Sequence, residues 1–187
     1  MLLYILLVAA SVVLLLVALI NLYLTNAGIE KVVPKIAERT PFVIDEQTED
    51  SVTISTTMDF INEGKQCATI MDAFVRPHLP YEQYDLIETR GHAELTTAPR
   101  EDDYFEAVII QKAGYKGGQD KISIKSQVKL TARKGLTIRE AVAHMPDFNF
   151  QLIWLETGRT PCHYRQLRIE VPAAEIADLL GVKWSLE

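Results

Sequence analysis

The chain of 187 residues contains two cysteines and four histidines, the side chains that most often act as metal ligands or nucleophiles. The histidines are scattered, at His78, His92, His144 and His163. No Cys-x-x-Cys or His-x-x-x-His pair occurs, and zinc sites are typically built from such closely spaced pairs. Cys162 and His163 are adjacent, but neighbouring side chains of a strand point to opposite faces. We therefore predict no metal site and no cofactor.

The sequence also lacks the common catalytic and phosphate-binding motifs, including Gly-x-Ser-x-Gly, the P-loop and Gly-x-Gly-x-x-Gly. The glycines of residues 114–118 lie between two predicted strands, which favours a hairpin turn over a phosphate-binding loop. Calcium loops space their carboxylates at alternate positions, whereas those of residues 101–103 are consecutive. We predict no catalytic residue. A pairing of Cys67 or Cys162 with a histidine leaves a hydrolase of unfamiliar type as an alternative.

A row of basic residues is the sharpest surface feature: Lys121, Lys125, Lys129 and Arg133. Residues four apart in a strand share a face and repeat at about 13 Å. This candidate interaction surface could meet anionic lipid headgroups or an acidic protein. The simpler explanations are a solvated face, or an edge strand that lysines protect from pairing. Nucleic acid is not expected as a partner, because the net charge is -6 and few aromatic residues lie between these lysines.

The charged residues are distributed unevenly, since none of them precedes Glu30. Residues 2–24 are apolar except for Ser11 and Asn21, and as a helix this run is long enough to cross a hydrocarbon core of about 30 Å. Tyr4 and Tyr23 lie near its ends, where the membrane interface favours tyrosine. We predict a transmembrane helix over residues 1–25, with residues 2–24 in contact with the lipid bilayer.

A cleaved signal peptide is the main alternative to a permanent anchor. The sequence Thr25-Asn26-Ala27 loosely resembles a small-residue cleavage site. However, no basic residue precedes the apolar run, and the run is longer than the 7–15 residues of a typical signal-peptide core. We therefore predict an uncleaved signal anchor in a single-pass membrane protein.

Two features bear on which side of the membrane the rest of the chain occupies, and they disagree. Lys31, Lys35 and Arg39 follow the apolar run, which by the positive-inside rule favours the cytoplasm. A disulfide between Cys67 and Cys162 would suit an exported domain. Because folded domains are translocated regardless of such charges, we expect the extracytoplasmic side.

Residues 26–50 are predicted to be a juxtamembrane connector. Ile29, Val32, Val33 and Ile36 recur at helical spacing, although Pro34 weakens a helix there. This pattern fits either an amphipathic segment lying on the membrane or a fraying continuation of the first helix. The acidic residues of 45–50 then form a solvated spacer.

From Ser51 onward, apolar and polar residues alternate, so residues 51–187 are predicted to form a β-sandwich domain, with a barrel as second choice. The expected strands cover 51–60, 65–75, 84–88, 92–96, 104–112, 121–133, 148–154 and 166–171. The turn residues Asn62-Glu63-Gly64 predict that the first two strands form a hairpin. Two short helices are also predicted: one after a capping box of Thr137 and Glu140, the other over 172–180 before Gly181.

The stretch VTISTTMDFINEGKQCATIMDAF, residues 52–74, resembles the early hairpin of immunoglobulin-like modules. The resemblance implies a mainly β, antiparallel, immunoglobulin-like sandwich behind the transmembrane helix. The Cys-Trp-Cys pattern of antibody domains has a partial counterpart in Cys67, Trp154 and Cys162, but Trp154 lies just before the second cysteine rather than on an early strand. Such a resemblance indicates a fold and not a function.

One anchor, one sandwich and no recognisable catalytic site predict a non-enzymatic, membrane-anchored protein that binds a protein partner as an accessory or structural component. A membrane-tethered hydrolase is the first alternative, which a pocket gathering two or more histidines with acidic residues would favour. A lipid- or ligand-binding sandwich is the second alternative, and it requires an apolar cavity between the sheets.

Overall fold

A computed structural model describes residues 1–100, 102 and 105–185. The chain begins with helix α1 (Leu2–Ala27) and ends near helix α3 (Ala173–Leu180), with helix α2 (Ile138–Ala143) between the seventh and eighth strands. Within the described residues, the strands are β1 (Val32–Pro34), β2 (Val43–Gln47), β3 (Ser51–Asn62), β4 (Ala68–His78), β5 (Ile87–Leu95), β6 (Val108–Ile110), β7 (Lys121–Ala132), β8 (Phe148–Thr157) and β9 (His163–Val171). Of the loop predicted at 99–103 and the strand predicted from 104, residues 101, 103 and 104 lie outside the described residues.

The strands form two antiparallel sheets, which confirms the predicted mainly β sandwich. The first sheet has the order β1-β3-β7-β5, with β2 also paired to β3, and the second has the order β6-β4-β8-β9. Because β3 and β7 are both long and alternate without interruption, their register runs from Ser51 opposite Thr131 to Ile61 opposite Lys121. Period-two alternation gives each strand one apolar face, and the two apolar faces meet.

The core lies between the sheets and is filled by large side chains. Phe60 of the first sheet and Trp154 of the second meet edge to face, with ring centroids 5.1 Å apart. The following residues are among the largest that are almost fully buried: Phe150, Ile54, Ile70, Ile124, Leu130 and Leu152. These residues occupy the space that an apolar ligand would need between the sheets.

The first two long strands do not form the predicted hairpin, and that prediction is wrong. β3 belongs to the first sheet and β4 to the second, so the loop from Asn62 to Cys67 crosses between sheets. The side chain of Asn62 is buried at the start of this loop. Its Oδ1 accepts hydrogen bonds from the N–H groups of Lys31 and Gly64. These bonds connect the loop to the segment that follows α1.

The segment 26–50, predicted as a connector, contributes strands to the first sheet. Val32–Pro34 pairs with the end of β3, and Val43–Gln47 pairs with its beginning. The helix suggested by the spacing of residues 29–36 is wrong, because the chain forms β1 and then a single 3-10 turn over Ile36–Glu38. Pro34 caps the short strand at the sheet edge, where its missing N–H costs no hydrogen bond.

A single strand, β5, replaces the two short strands predicted at 84–88 and 92–96. Gly91 weakens the alternation at its centre, and the reason is the close approach of the other sheet. A Cβ atom at Gly91 would lie 2.2 Å from the carbonyl oxygen of Val75 on β4.

The two short helices close the end of the sandwich far from α1. The capping box is confirmed, because Thr137 accepts from the N–H of Glu140 and Glu140 accepts from the N–H of Thr137. Gly181 ends α3 in the left-handed conformation, which glycine adopts without steric strain. The indole of Trp184 donates to the carbonyl of Met145 over 2.9 Å and so fixes the C-terminal segment to α2.

Candidate functional surfaces

The helix α1 is exposed from Leu3 to Asn26, and it is long and apolar enough to cross a membrane. An N-terminal helix of this kind is either a membrane anchor or a signal sequence. It ends at the base of the sandwich, which we define as the end formed by the segment 28–35 and the loops 62–67, 111–120 and 158–162. The base is therefore the part of the domain next to any membrane that α1 enters.

A buried carboxylate, Glu30, joins the exit of α1 to the loop between β8 and β9. Glu30 is 5% exposed, and its carboxylate accepts hydrogen bonds from the backbone N–H groups of Arg159 and Thr160, each over 2.9 Å. The hydroxyl of Thr160 donates to the same carboxylate. Gly158 makes this approach feasible, because a Cβ atom there would lie 2.6 Å from the carboxyl carbon of Glu30.

These hydrogen bonds determine the protonation state of Glu30. Burial by itself raises the pKa of a carboxyl group, because it disfavours the charged form. Here the hydrogen bonds from Thr160 and Arg159 outweigh burial and lower the pKa of Glu30 from 4.5 to about 2. Glu30 is therefore ionised at neutral pH and is held by donors rather than by a cation.

Further hydrogen bonds attach the helix end to the base. Gln66 donates from Nε2 to the carbonyl of Ala27 over 2.7 Å, and Arg159 donates from Nη1 to the carbonyl of Gly28 over 3.2 Å. The N–H of Lys65 donates to the carbonyl of Ile29 over 3.0 Å. The last turn of α1 and the sandwich are thus joined by hydrogen bonds from two separate loops.

A second buried carboxylate, Glu156, lies on the inner face of β8. The guanidinium of Arg165 on β9 pairs with it at 3.2 Å and also donates to the carbonyl of Val32 over 2.9 Å. The Arg165 guanidinium lies 5.6 Å from the ring centroid of Trp154. The ion pair of Glu156 and Arg165 therefore connects the second sheet to β1 and stabilises the contact between the two sheets.

Three of the four predicted interaction residues lie on β7, on the outer face of the first sheet, and the fourth, Arg133, directly follows the strand. β7 is flanked by β3 and β5, so the explanation of a protected edge strand is wrong. Three of the four cations pair with carboxylates: Lys121 with Asp59 at 2.9 Å, Lys125 with Asp45 at 2.8 Å, and Arg133 with Glu88 at 3.4 Å. Hydrogen bonds from Ser123 and Lys121 lower the pKa of Asp59 below its ordinary value.

The fourth cation, Lys129, lines a shallow groove of about 420 Å³ on this outer face. Arg90 lies opposite Lys129 on β5, and His92 lies opposite Gln127. The groove walls carry charges of both signs and come from five segments of the chain: Asp45, Glu46, Thr53, Arg90, Gly91, His92, Arg100, Gln127 and Lys129. Most of the residues that line it are polar or charged. The role of the four β7 residues in binding stays a prediction.

The histidines are not gathered into one site. His92 lies in the groove, whereas His78 ends β4, His144 ends α2 and His163 begins β9. Within the described ranges, no three residues among His, Cys, Asp and Glu are close enough to hold one metal ion. The groove therefore contains one histidine rather than the two or more that would favour the hydrolase.

Cys67 and Cys162 are both exposed free thiols. They precede β4 and β9, which pair with opposite edges of β8, so two strand spacings of about 4.8 Å separate them. A disulfide requires Cα atoms within about 7 Å of each other. A bridge would need the loop 158–162 to move, and it stays a prediction.

Sequence reasoning missed Glu30 and assigned Asn62 only to a hairpin turn, although both residues form hydrogen bonds that join segments of the base. One signal was available, because Glu30 is the first charged residue after 29 uncharged ones. Its partner loop is 130 positions away, and neither spacing nor alternation identifies such a partner.

No protein-family model and no curated protein sequence matches the chain. Among solved structures, the GAE domain of GGA2p from Saccharomyces cerevisiae is 8% identical, with a TM-score of 0.34 over 77% of this chain and 98% of that one. The ApaA protein of Bordetella pertussis is 9% identical, with a TM-score of 0.34 over 76% and 90%. The yeast GGA1 GAE domain is 8% identical, with a TM-score of 0.29 over 70% and 98%. The class of this protein therefore follows from its own strand pairing: a two-sheet antiparallel β-sandwich behind an N-terminal apolar helix.

Proposed function

We propose that the chain is a single-pass, membrane-anchored β-sandwich that acts by binding a protein partner, as an accessory or structural component at the membrane. The observation that carries this proposal is the relation between α1 and the base. The helix exposes apolar side chains along its length, while Glu30, three residues beyond its end, is buried in the sandwich. Apolar surface of this extent is unfavourable in water, and a bilayer removes it from water.

The attachment of α1 also supports a permanent anchor rather than a cleaved signal. The carbonyls of Ala27 and Gly28 accept hydrogen bonds from Gln66 and Arg159. Cleavage after Ala27 would separate the donors in the base from one of these acceptors. A signal peptide, by contrast, is removed and needs no contacts with the mature fold.

The anchor is tested by the mass and extraction behaviour of the full chain. We expect the membrane fraction to contain the intact protein of 21.1 kDa and to retain it after washing with sodium carbonate. The matched variant replaces Leu14 and Leu15 by Arg, each of which costs several kcal/mol in a bilayer centre. It is expected in the soluble fraction. A wild-type chain that begins after Ala27, or that washes off, would contradict the anchor.

Protein binding is supported by the groove on the outer face of the first sheet. Two of its three cations, Arg90 and Lys129, lie opposite each other on neighbouring paired strands, which is a suitable frame for a fixed binding geometry. Its carboxylates, Asp45 and Glu46, lie on β2. We therefore expect a partner segment that carries charges of both signs.

Crosslinking in intact membranes tests this assignment. A photoreactive residue at Thr53, inside the groove, is expected to capture the same partner repeatedly, and the double variant R90E/K129E is expected to lose most of that capture. The matched control, R168E/K183E, makes the same charge change at exposed residues outside the groove. Equal loss in both variants, or no specific product in wild type, would contradict a partner in the groove.

A further inference from the structure

We propose that the base of the sandwich binds the headgroups of anionic lipids through a basic collar around the end of α1, formed by Lys65, Lys112, Lys116 and Arg159. This inference rests on the proposed membrane anchor, because it needs α1 to lie in a bilayer. It adds a second contact with the membrane, made by the domain rather than by the helix.

Three of the four collar residues line cavities beside the last turns of the helix, and Lys116 lies in the same loop as Lys112. Arg159 and Tyr23 line one cavity at the base, while Lys65, Lys112 and Asn26 line a neighbouring one. The side chain of Lys65 follows the backbone at Gly28, where an added Cβ atom would lie 2.9 Å from its Cδ. The two cavities thus place basic side chains around the final helical turns.

The length of α1 determines the depth of these side chains. The apolar span Leu3–Ala27 has 25 residues, or about 37 Å at 1.5 Å per residue. A hydrocarbon core of about 30 Å leaves about 7 Å of helix, close to five residues, for the headgroup layers. Tyr23 to Ala27 therefore fall in the headgroup layer when the helix starts at the opposite edge of the core, and the collar lies at the same level.

The charge of the base is opposite in sign to that of the whole protein. The segments that form the base contain six cations and three carboxylates, which gives +3 in a chain of net charge -6. Glu63 is already paired with Lys31 at 3.0 Å and with Lys35 at 2.9 Å, and Glu30 is buried. The collar supplies four of the six cations of the base.

The loop 111–120 exposes Tyr115 at its tip. Its two ends are joined by a hydrogen bond of 2.6 Å from the N–H of Gln111 to the carbonyl of Gln119, and Gly114 and Gly118 both have positive φ. The N–H of Ala113 donates to the carbonyl of Gly64, which ties the loop to the base. At the tip, Tyr115 is 46% exposed beside Lys116, and tyrosine is favoured at the membrane interface.

Lipid headgroups explain this arrangement better than a protein partner does. The cations come from three loops that surround a helix of membrane-spanning length, whereas a protein contact would need no such relation to the helix. Basic side chains beside a membrane are attracted to anionic headgroups and exclude no particular lipid by shape. We therefore expect selectivity by charge.

Spin-label electron paramagnetic resonance on the full chain in phosphatidylcholine vesicles tests the proposal. Spin-labelled phosphatidylglycerol and phosphatidylcholine are compared for their relative association with the protein. We expect wild type to prefer phosphatidylglycerol, by up to about fivefold for each basic side chain that reaches the surface. The preference should fall towards one in 1 M salt, where the screening length is about 3 Å.

The variant K65Q/K112Q/K116Q/R159Q is expected to lose at least fivefold of this preference. The matched control, R76Q/R139Q/R168Q/K183Q, removes four exposed cations from outside the base and should keep it. Thermal unfolding of both variants checks that the fold is retained. A wild-type preference near one, or a preference unchanged in the collar variant, would overturn the collar while the anchor stands. Failure of wild type to float with the vesicles would overturn the anchor and the collar together.

Discussion

The backbone N–H of Thr160 donates a hydrogen bond of 2.9 Å to the carboxylate of Glu30, two residues that are 130 positions apart in the chain. Glu30 follows the apolar helix by three residues, and Thr160 lies in the loop between the last two strands. The contact therefore joins the first element of the protein to one of the last. This hydrogen bond attaches the segment that follows the helix to the sandwich.

Replacing Glu30 by Gln should destabilise the protein by about 2 kcal/mol, because charge-assisted hydrogen bonds contribute about 1.5–3 kcal/mol and the amide presents a donor to other donors. We expect a melting temperature several degrees lower for the full chain in detergent, measured by circular dichroism. The matched control is Glu38→Gln, an exposed carboxylate of the same segment. A melting temperature equal to that of the control would show that the Glu30 contacts do not contribute.

The same group predicts a dependence of stability on pH. The pKa of Glu30 is about 2 in the folded protein against an ordinary value of 4.5. A carboxyl group whose pKa is lowered by folding stabilises the protein above pH 4.5, and that contribution is lost as the pH falls from 4.5 to 2. The shift corresponds to about 3 kcal/mol.

Melting temperatures of wild type and Glu30→Gln should therefore differ most at neutral pH and converge as the pH approaches 2. Other carboxylates with a lowered pKa, such as Asp59 and Glu63, remain in both proteins and cancel in the comparison. If the difference in melting temperature were constant from pH 7 to pH 2, the loss of stability in Glu30→Gln would come from the shape of the side chain and not from its charge.

Gly91 is predicted to be essential for the approach of the two sheets. A methyl group there would lie 2.2 Å from the carbonyl oxygen and 2.7 Å from Cγ1 of Val75. Because backbone cannot rotate away as a side chain can, we expect Gly91→Ala to cost about 1–3 kcal/mol, the usual range for overpacking. The free energy of unfolding in urea measures this.

Gly117→Ala is the matched control for that substitution. Its added methyl group would meet the ring of Tyr115 at 2.6 Å, and this exposed ring can move aside. We expect a change within about 0.5 kcal/mol, as for most surface substitutions. Equal effects of the two substitutions would contradict the interpretation of Gly91.

Much of the fold could be predicted from local patterns. The long strands β3, β7 and β8 lie close to their predicted ranges, because each alternates over ten residues or more with one apolar face. Both short helices were located by their caps and end residues. Pairing partners were not predictable, since the alternation of β3 and β4 is the same whether they share a sheet or face each other. The short strands β1 and β2 exist only through their register with β3.

The candidate surfaces were less predictable than the fold. The row of basic residues along β7 could be predicted, because residues four apart in one strand share a face. Its carboxylate partners Asp59 and Asp45 come from other segments, and pairing with them removes most of the free charge expected from the sequence. The collar could not be predicted from the sequence, because Lys65, Lys112 and Arg159 are distant in sequence and come close together only at the base.

Cysteine labelling should establish both the side of the membrane and the redox state. Cys67 and Cys162 are exposed, so a membrane-impermeant maleimide can reach them wherever it meets the domain. The expected extracytoplasmic domain would be labelled in intact cells, and without reductant, because the two thiols directly precede strands that β8 separates. Cys67→Ser and Cys162→Ser serve as controls, singly and together.

Labelling only after lysis would instead place the domain in the cytoplasm, as Lys31, Lys35 and Arg39 favour by the positive-inside rule. A signal that requires reductant would show a disulfide and a shift of the loop 158–162.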